Sequence, residues 1–85
     1  MSLINEIKTR LEQLAPTRLD IQDDSALHAG HQGNGGGGHF TVTIISDAFC
    51  GLPAVARHRM IYQALSDLMP QKIHALSIHA IASDE

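Results

Sequence analysis

The sequence predicts a small α+β domain, a three-stranded mixed sheet with helices on one face, and three observations predict it. Apolar residues recur at three- and four-residue spacing in two segments and alternate with other residues in three more. These segments follow one another as helix, strand, strand, helix, strand. The chain has 85 residues, enough for one domain (residues 1–85) with a modest core.

The first helix is carried by Leu3, Ile4, Ile7, Leu11 and Leu14, with Ser2 placed to cap it, Glu6 in its first turn and Pro16 to end it. Leu19 and Ile21 alternate with polar neighbours from Arg18 to Gln22, a short half-buried strand that Asp23, Asp24 and Ser25 interrupt. Residues 25–38 show no apolar period and hold the run Gly33 to Gly38, so they predict a flexible Gly/His-rich loop. The second strand puts Phe40, Val42 and Ile44 on one face and Thr41, Thr43 and Ile45 on the other. Ser46 to Gly51 reads as a turn. Pro53 then opens a helix with Ala54, His58, Ile61, Leu65 and Leu68 on one face, which Pro70 stops. Ile73 to Ile81 alternates loosely as a third strand, His74 sharing parity with Leu76 and Ile78, and His79 lying on the opposite parity. Strands one and two pair antiparallel across the long loop. Strands two and three flank a helix and run parallel, with a right-handed crossover.

Composition excludes several functions. The formal charge is −3, from six Lys/Arg against nine Asp/Glu, so the chain lacks the basic excess of a dedicated DNA binder. The lone Cys50 rules out a disulfide framework and a Cys₄ metal site within one chain. No apolar run is long enough to span a membrane, and MSLINEIKTR has no secretory h-region, which predicts a cytoplasmic or organelle-matrix protein.

Six histidines are the unusual count. His28, His31 and His39 lie in or beside the glycine loop, but no second Cys/His pair completes a closed zinc motif there. The glycine run leads into a strand with no lysine after it, so it does not match a phosphate-binding loop. His58 shares the apolar helix face and predicts a buried, hydrogen-bonded imidazole. Its neighbours Arg57 and Arg59 are either solvated, ion-paired or a small basic patch. His74, at a strand mouth, suits a structural donor or a ligand. Cys50 has no marked base beside it and Asp23-Asp24 reads as a turn, so an enzyme is not expected.

One ordered series of motifs remains. It runs Asp23-Asp24-Ser25-x-x-His28, Gly38-His39-Phe40, Ser46-Asp47-x-Phe49-x-Gly51, Arg57-His58-Arg59-Met60-Ile61-Tyr62 and Ile73-His74-Ala75-Leu76. This series resembles the BolA family over nearly the whole chain. The resemblance implies an αββαβ fold like a class II KH domain, with a short helical turn before the second long helix. It implies a monothiol glutaredoxin as partner and a bridging [2Fe–2S] cluster in iron–sulfur trafficking and iron regulation, completed by the partner's thiolate and its glutathione. His74, in the His-Ala-Leu motif, would be one ligand. The second would come from the loop between the first two strands. His28 matches by spacing, His31 competes with it, and His39 is a third possibility. Some bacterial members of the family are transcriptional regulators linked to stress and cell shape. For that activity Arg57, Arg59 and Lys72 are the candidate nucleic-acid contacts.

Overall fold

The structure, a computed structural model, describes residues 3–24, 38–69 and 71–85. It contains α1 (Leu3–Leu11), β1 (Pro16–Asp23), β2 (Gly38–Ser46), α2 (Ala54–Ala64) and β3 (Ile73–Ala82). A short 3₁₀ turn follows α1 at Glu12–Leu14, and another precedes α2 at Asp47–Phe49. The sheet order is β1-β2-β3, with β1 antiparallel and β3 parallel to β2, as the sequence predicts.

The core forms where the apolar stripe of each helix meets one face of this sheet. Ile7 and Leu11 from α1, Phe40, Val42 and Ile44 from β2, and Ile61 from α2 are buried together with Leu65, Leu68, Ile73 and Ala82. Leu19 and Ile21 on β1 and Leu76, Ile78 and Ala80 on β3 pack against that cluster from the two outer strands. Removing such side chains from water contributes about 1.5–3 kcal/mol for each large residue. Phe49 is also fully buried. The turn that carries it is fixed by Ser46, whose hydroxyl donates to Leu14 O at 2.5 Å and accepts from the Ala48 N–H at 3.0 Å.

Several boundaries differ from the expectation. The α1 segment tightens to 3₁₀ geometry after Leu11, and Ala15 turns the chain in the left-handed region, at φ 51° and ψ 55°. Pro16 is therefore the first residue of β1 rather than the direct stop of the helix, since it is Ala15 that breaks the helical path. Pro53 occupies the cap position with extended ψ, so α2 starts one residue later than predicted. It also ends at Ala64, and residues 65–69 form turns that still deliver Leu65 and Leu68 to the core. The loop stretch 25–37 and Pro70 lie outside the described residues. Gly38 does not belong to the loop, because it opens β2.

Candidate metal centre

Two features position the start of β2 closely. The Asp24 N–H donates to His39 O at 2.7 Å, while the Gly38 N–H donates to Lys72 O at 3.0 Å. Thr41 Oγ1 donates to Asp24 Oδ2 at 2.5 Å, so the end of β1 is held to β2 by side chain as well as backbone. Gly38 has no room for a side chain. A Cβ there would lie 2.9 Å from Phe40 Cζ and nearer still to Cε2. The Gly-His-Phe sequence thus lets the Phe40 ring lie under the strand while His39 occupies the opposite face.

A register shift in β3 brings the second imidazole to the same place. Gly38 pairs with Ile73 and His39 pairs with Ala75, leaving His74 as the extra residue of a β-bulge. Leu76, Ile78 and Ala80, beyond the bulge, pack against the core, and Ile73, before it, is fully buried. The bulge thus breaks the parity that His74 would share with Leu76 and Ile78. His74 is exposed and lies beside His39, with ring centroids 5.4 Å apart and ring planes tilted by 51°.

An imidazole nitrogen binds a transition metal at about 2 Å, so two rings at this separation are close enough to share one ion. Among the described residues no group of three or more His, Cys, Asp or Glu side chains could hold a metal ion. The chemistry of two adjacent imidazoles is that of the pair that replaces two thiolates on one iron of a [2Fe–2S] centre. His28 and His31 lie outside the described residues.

The basic candidates are placed in different surroundings. Arg57 is largely buried, at 15% side-chain exposure, and its guanidinium is engaged inside the protein. Nε donates to Leu52 O at 2.8 Å and Nη1 to Ala80 O at 3.1 Å, and Nη1 also pairs with Glu85 Oε1 at 2.5 Å. That cation holds the Glu85 carboxyl below its ordinary pKa. Arg59 is exposed, and Lys72 is exposed with Glu6 Oε1 3.5 Å away. The three residues do not form one cationic surface.

His58 is half-buried rather than enclosed in the core. It has no hydrogen bond among the described residues and lines an open concavity of about 580 Å³ with Ala54, Val55, Arg59 and Tyr62. Helical spacing placed it near the core face, but it sits at that face's margin. Cys50 is exposed, with its Sγ 3.6 Å from Ser83 Oγ, which donates to Asp47. Sequence reasoning missed the His39–His74 pairing as a contact. The only signal for it was the loose alternation of β3.

The family model of the BolA-like protein matches residues 11–85. SufE-like protein 1, chloroplastic/mitochondrial, of Arabidopsis thaliana is 44% identical over 81 residues, covering 87% of this chain and 22% of that protein. The DNA-binding transcriptional regulator BolA of Vibrio cholerae is 38% identical over 74 residues, covering 87% of this chain and 68% of that protein. Among solved structures, the BolA domain of SufE1 from Arabidopsis thaliana superposes with a TM-score of 0.83 at 41% identity, covering 99% of this chain and 96% of that one. The chain thus spans about a fifth of the Arabidopsis protein and nearly all of its BolA domain.

Proposed function

The chain belongs to the BolA-like family, and from that premise we propose that it binds a monothiol glutaredoxin and co-ligates a bridging [2Fe–2S] cluster through His74. The observation that carries this reading is the bulge that sets exposed His74 against His39, with 5.4 Å between ring centroids. His39 is the partner ligand the geometry favours, and His28 and His31 are the loop alternatives. The cluster, when bound, supplies one-electron chemistry at a potential that imidazole ligands raise. What this chain supplies is two imidazoles on a fixed strand pair. The backbone bonds of Gly38 and Asp24 hold the His39 end in place.

In this reading the protein acts by binding and not by catalysis, and its compartment is the cytoplasm. The plant relative's name places that protein in chloroplast or mitochondrion. Among the described residues no helix is long and apolar enough to cross a membrane.

The test is a titration into cluster-loaded monothiol glutaredoxin, followed by visible absorption and circular dichroism. Wild type should change the cluster spectrum, and His74→Ala should abolish that change. One of His39→Ala, His28→Ala and His31→Ala should do the same and so identify the second ligand. Binding with an unchanged spectrum leaves a protein adaptor that never touches the metal.

The name of the Vibrio cholerae relative favours a second reading, a DNA-binding transcriptional regulator, for which the family resemblance suggests stress response and morphology as the regulated processes. On this chain Arg59 and Lys72 would contact phosphate, since the Arg57 guanidinium is engaged internally. Affinity for duplex DNA should then fall steeply with salt and drop in Arg59→Ala. A flat salt response would exclude phosphate contacts.

A further inference from the structure

The two edges of the sheet are treated very differently. β1 carries Pro16, Arg18, Asp20 and Asp23, and Arg18 Nε pairs with Asp20 Oδ2 at 2.7 Å, so its edge has the proline and charges that discourage strand pairing. β3 is longer, Ile73–Ala82, and its sequence IHALSIHAIA has no proline and no Asp, Glu, Lys or Arg.

Among the described residues both ends of the β3 edge are closed: ahead of the bulge the Ile73 N–H donates to Leu68 O at 2.9 Å, and a further set of bonds covers the C-terminal end. The Ala82 N–H donates to Glu85 Oε1 at 3.1 Å, the Glu85 N–H donates to Ala82 O at 3.1 Å, and Arg57 Nη1 donates to Ala80 O at 3.1 Å. These bonds go to groups that the ladder to β2 leaves free, so the backbones of Ala80 and Ala82 face away from β2. Leu76 and Ile78 share their parity and direct N–H and C=O the same way. Besides the ladder to β2, no described residue hydrogen-bonds either of them. The Arg57–Glu85 pair therefore seals one end of an edge whose middle is open and uncharged.

We propose that this open window, Ala75 to His79, pairs antiparallel with the same segment of a second copy of the chain. The commitment to a second copy rests on self-complementarity. A two-fold axis through Ser77 sets Leu76 opposite Ile78 of the second copy, and each such pair exchanges two backbone hydrogen bonds. It sets Ser77 against Ser77, a small exposed residue on both sides, and brings no formal charges together. The sealed end at Ala80 and Ala82 lies outside this register. The product is a six-stranded sheet with both histidine pairs on its open face. It does not depend on the cluster reading.

The register gives a specific test. Ser77 of the two copies forms a non-hydrogen-bonded pair with Cα atoms about 4.5 Å apart, within the range that a disulfide bridges. In a Cys50→Ser background, Ser77→Cys should give a covalent dimer under mild oxidation, whereas His79→Cys, opposite Ala75, should form no disulfide-linked dimer. Sedimentation equilibrium of the full chain should show concentration-dependent dimerisation that Ser77→Lys abolishes, with Ser77→Thr retaining it. A wild-type chain that remains monomeric at all concentrations overturns the proposal. So does equal cross-linking of the two cysteine variants. Glutaredoxin is absent from both measurements, so failure here leaves the cluster reading untouched.

Discussion

Gly38 shows how one residue prepares a site without touching its chemistry. A Cβ at that position would overlap the Phe40 ring, and Phe40 is 96% buried against the core, as its 4% exposure shows. Gly38→Ala must shift that ring or the strand above it, at a cost of about 1–3 kcal/mol. The shift would fall one residue from His39. We therefore expect a lower urea midpoint and, in the glutaredoxin titration, a weakened cluster change, and an unaltered midpoint would refute the steric argument. Ala15 presents the opposite case. It holds φ 51° without being glycine, a conformation that costs an L-residue roughly 1–2 kcal/mol. Glycine relieves that cost but gains freedom in the unfolded chain. The balance favours Ala15→Gly by about 0.5–1 kcal/mol, which denaturant melts can resolve. Loss of stability there would mean that Ala15 contributes packing its exposure does not suggest.

At the scale of elements, the reach of the sequence follows the physics of period. β2 has a strict alternation, and Phe40, Val42 and Ile44 were readable as its core face because nothing interrupts it. β3 reads loosely for a structural reason. Inward positions fall on an odd number at Ile73 and on even numbers from Leu76, and the bulge at His74 supplies the change. A one-residue shift of this kind cannot be placed by alternation alone, so the His39–His74 contact was not legible, although both residues were singled out. Phe49 was missed because a single apolar residue in a turn has no period to reveal it. The shortening of α2 was likewise invisible, since Leu65 and Leu68 keep their buried positions in turns. The Arg-His-Arg motif makes the same point in polar residues. Arg57 satisfies two carbonyls and a carboxylate from a nearly buried position, whereas Arg59 is exposed. Hydrogen bonds made by a charged group contribute about 1.5–3 kcal/mol net of their exchange with water, and relaxation around a deleted side chain recovers part of that. Arg57→Ala should therefore destabilise by about 2 kcal/mol, and Arg59→Ala should stay within about 0.5 kcal/mol of wild type. Equal losses in thermal or chemical melts would contradict the assigned difference.

Over the whole molecule, two arginine–carboxylate pairs tie elements distant in sequence, and they shape how the fold responds to acid. Arg10 in α1 grips Asp67, in the turns after α2, through Nε at 2.8 Å and Nη2 at 2.6 Å. Arg57 in α2 grips Glu85, beyond β3. Hydrogen bonding from Arg10 holds Asp67 below its ordinary value of 3.8, and hydrogen bonding from Arg57 with the Ala82 N–H holds Glu85 below 4.5. The unfolded chain therefore binds protons on these carboxyls at a higher pH than the folded chain does. The stability they contribute is fully present above the unfolded values and is lost as pH falls through the folded ones. The same contact raises the Arg10 pKa further above its ordinary value, which has no consequence near neutrality. Stability by urea melts should be level from pH 7 to about pH 5 with respect to these two groups, then decline below about pH 4.5. Asp67→Asn and Glu85→Gln together should lower stability at pH 7 and flatten the acid limb, because both forms of the amide bind no proton. A double variant with the wild-type acid slope would place the acid sensitivity in other carboxylates and leave these two bridges as surface contacts of little consequence.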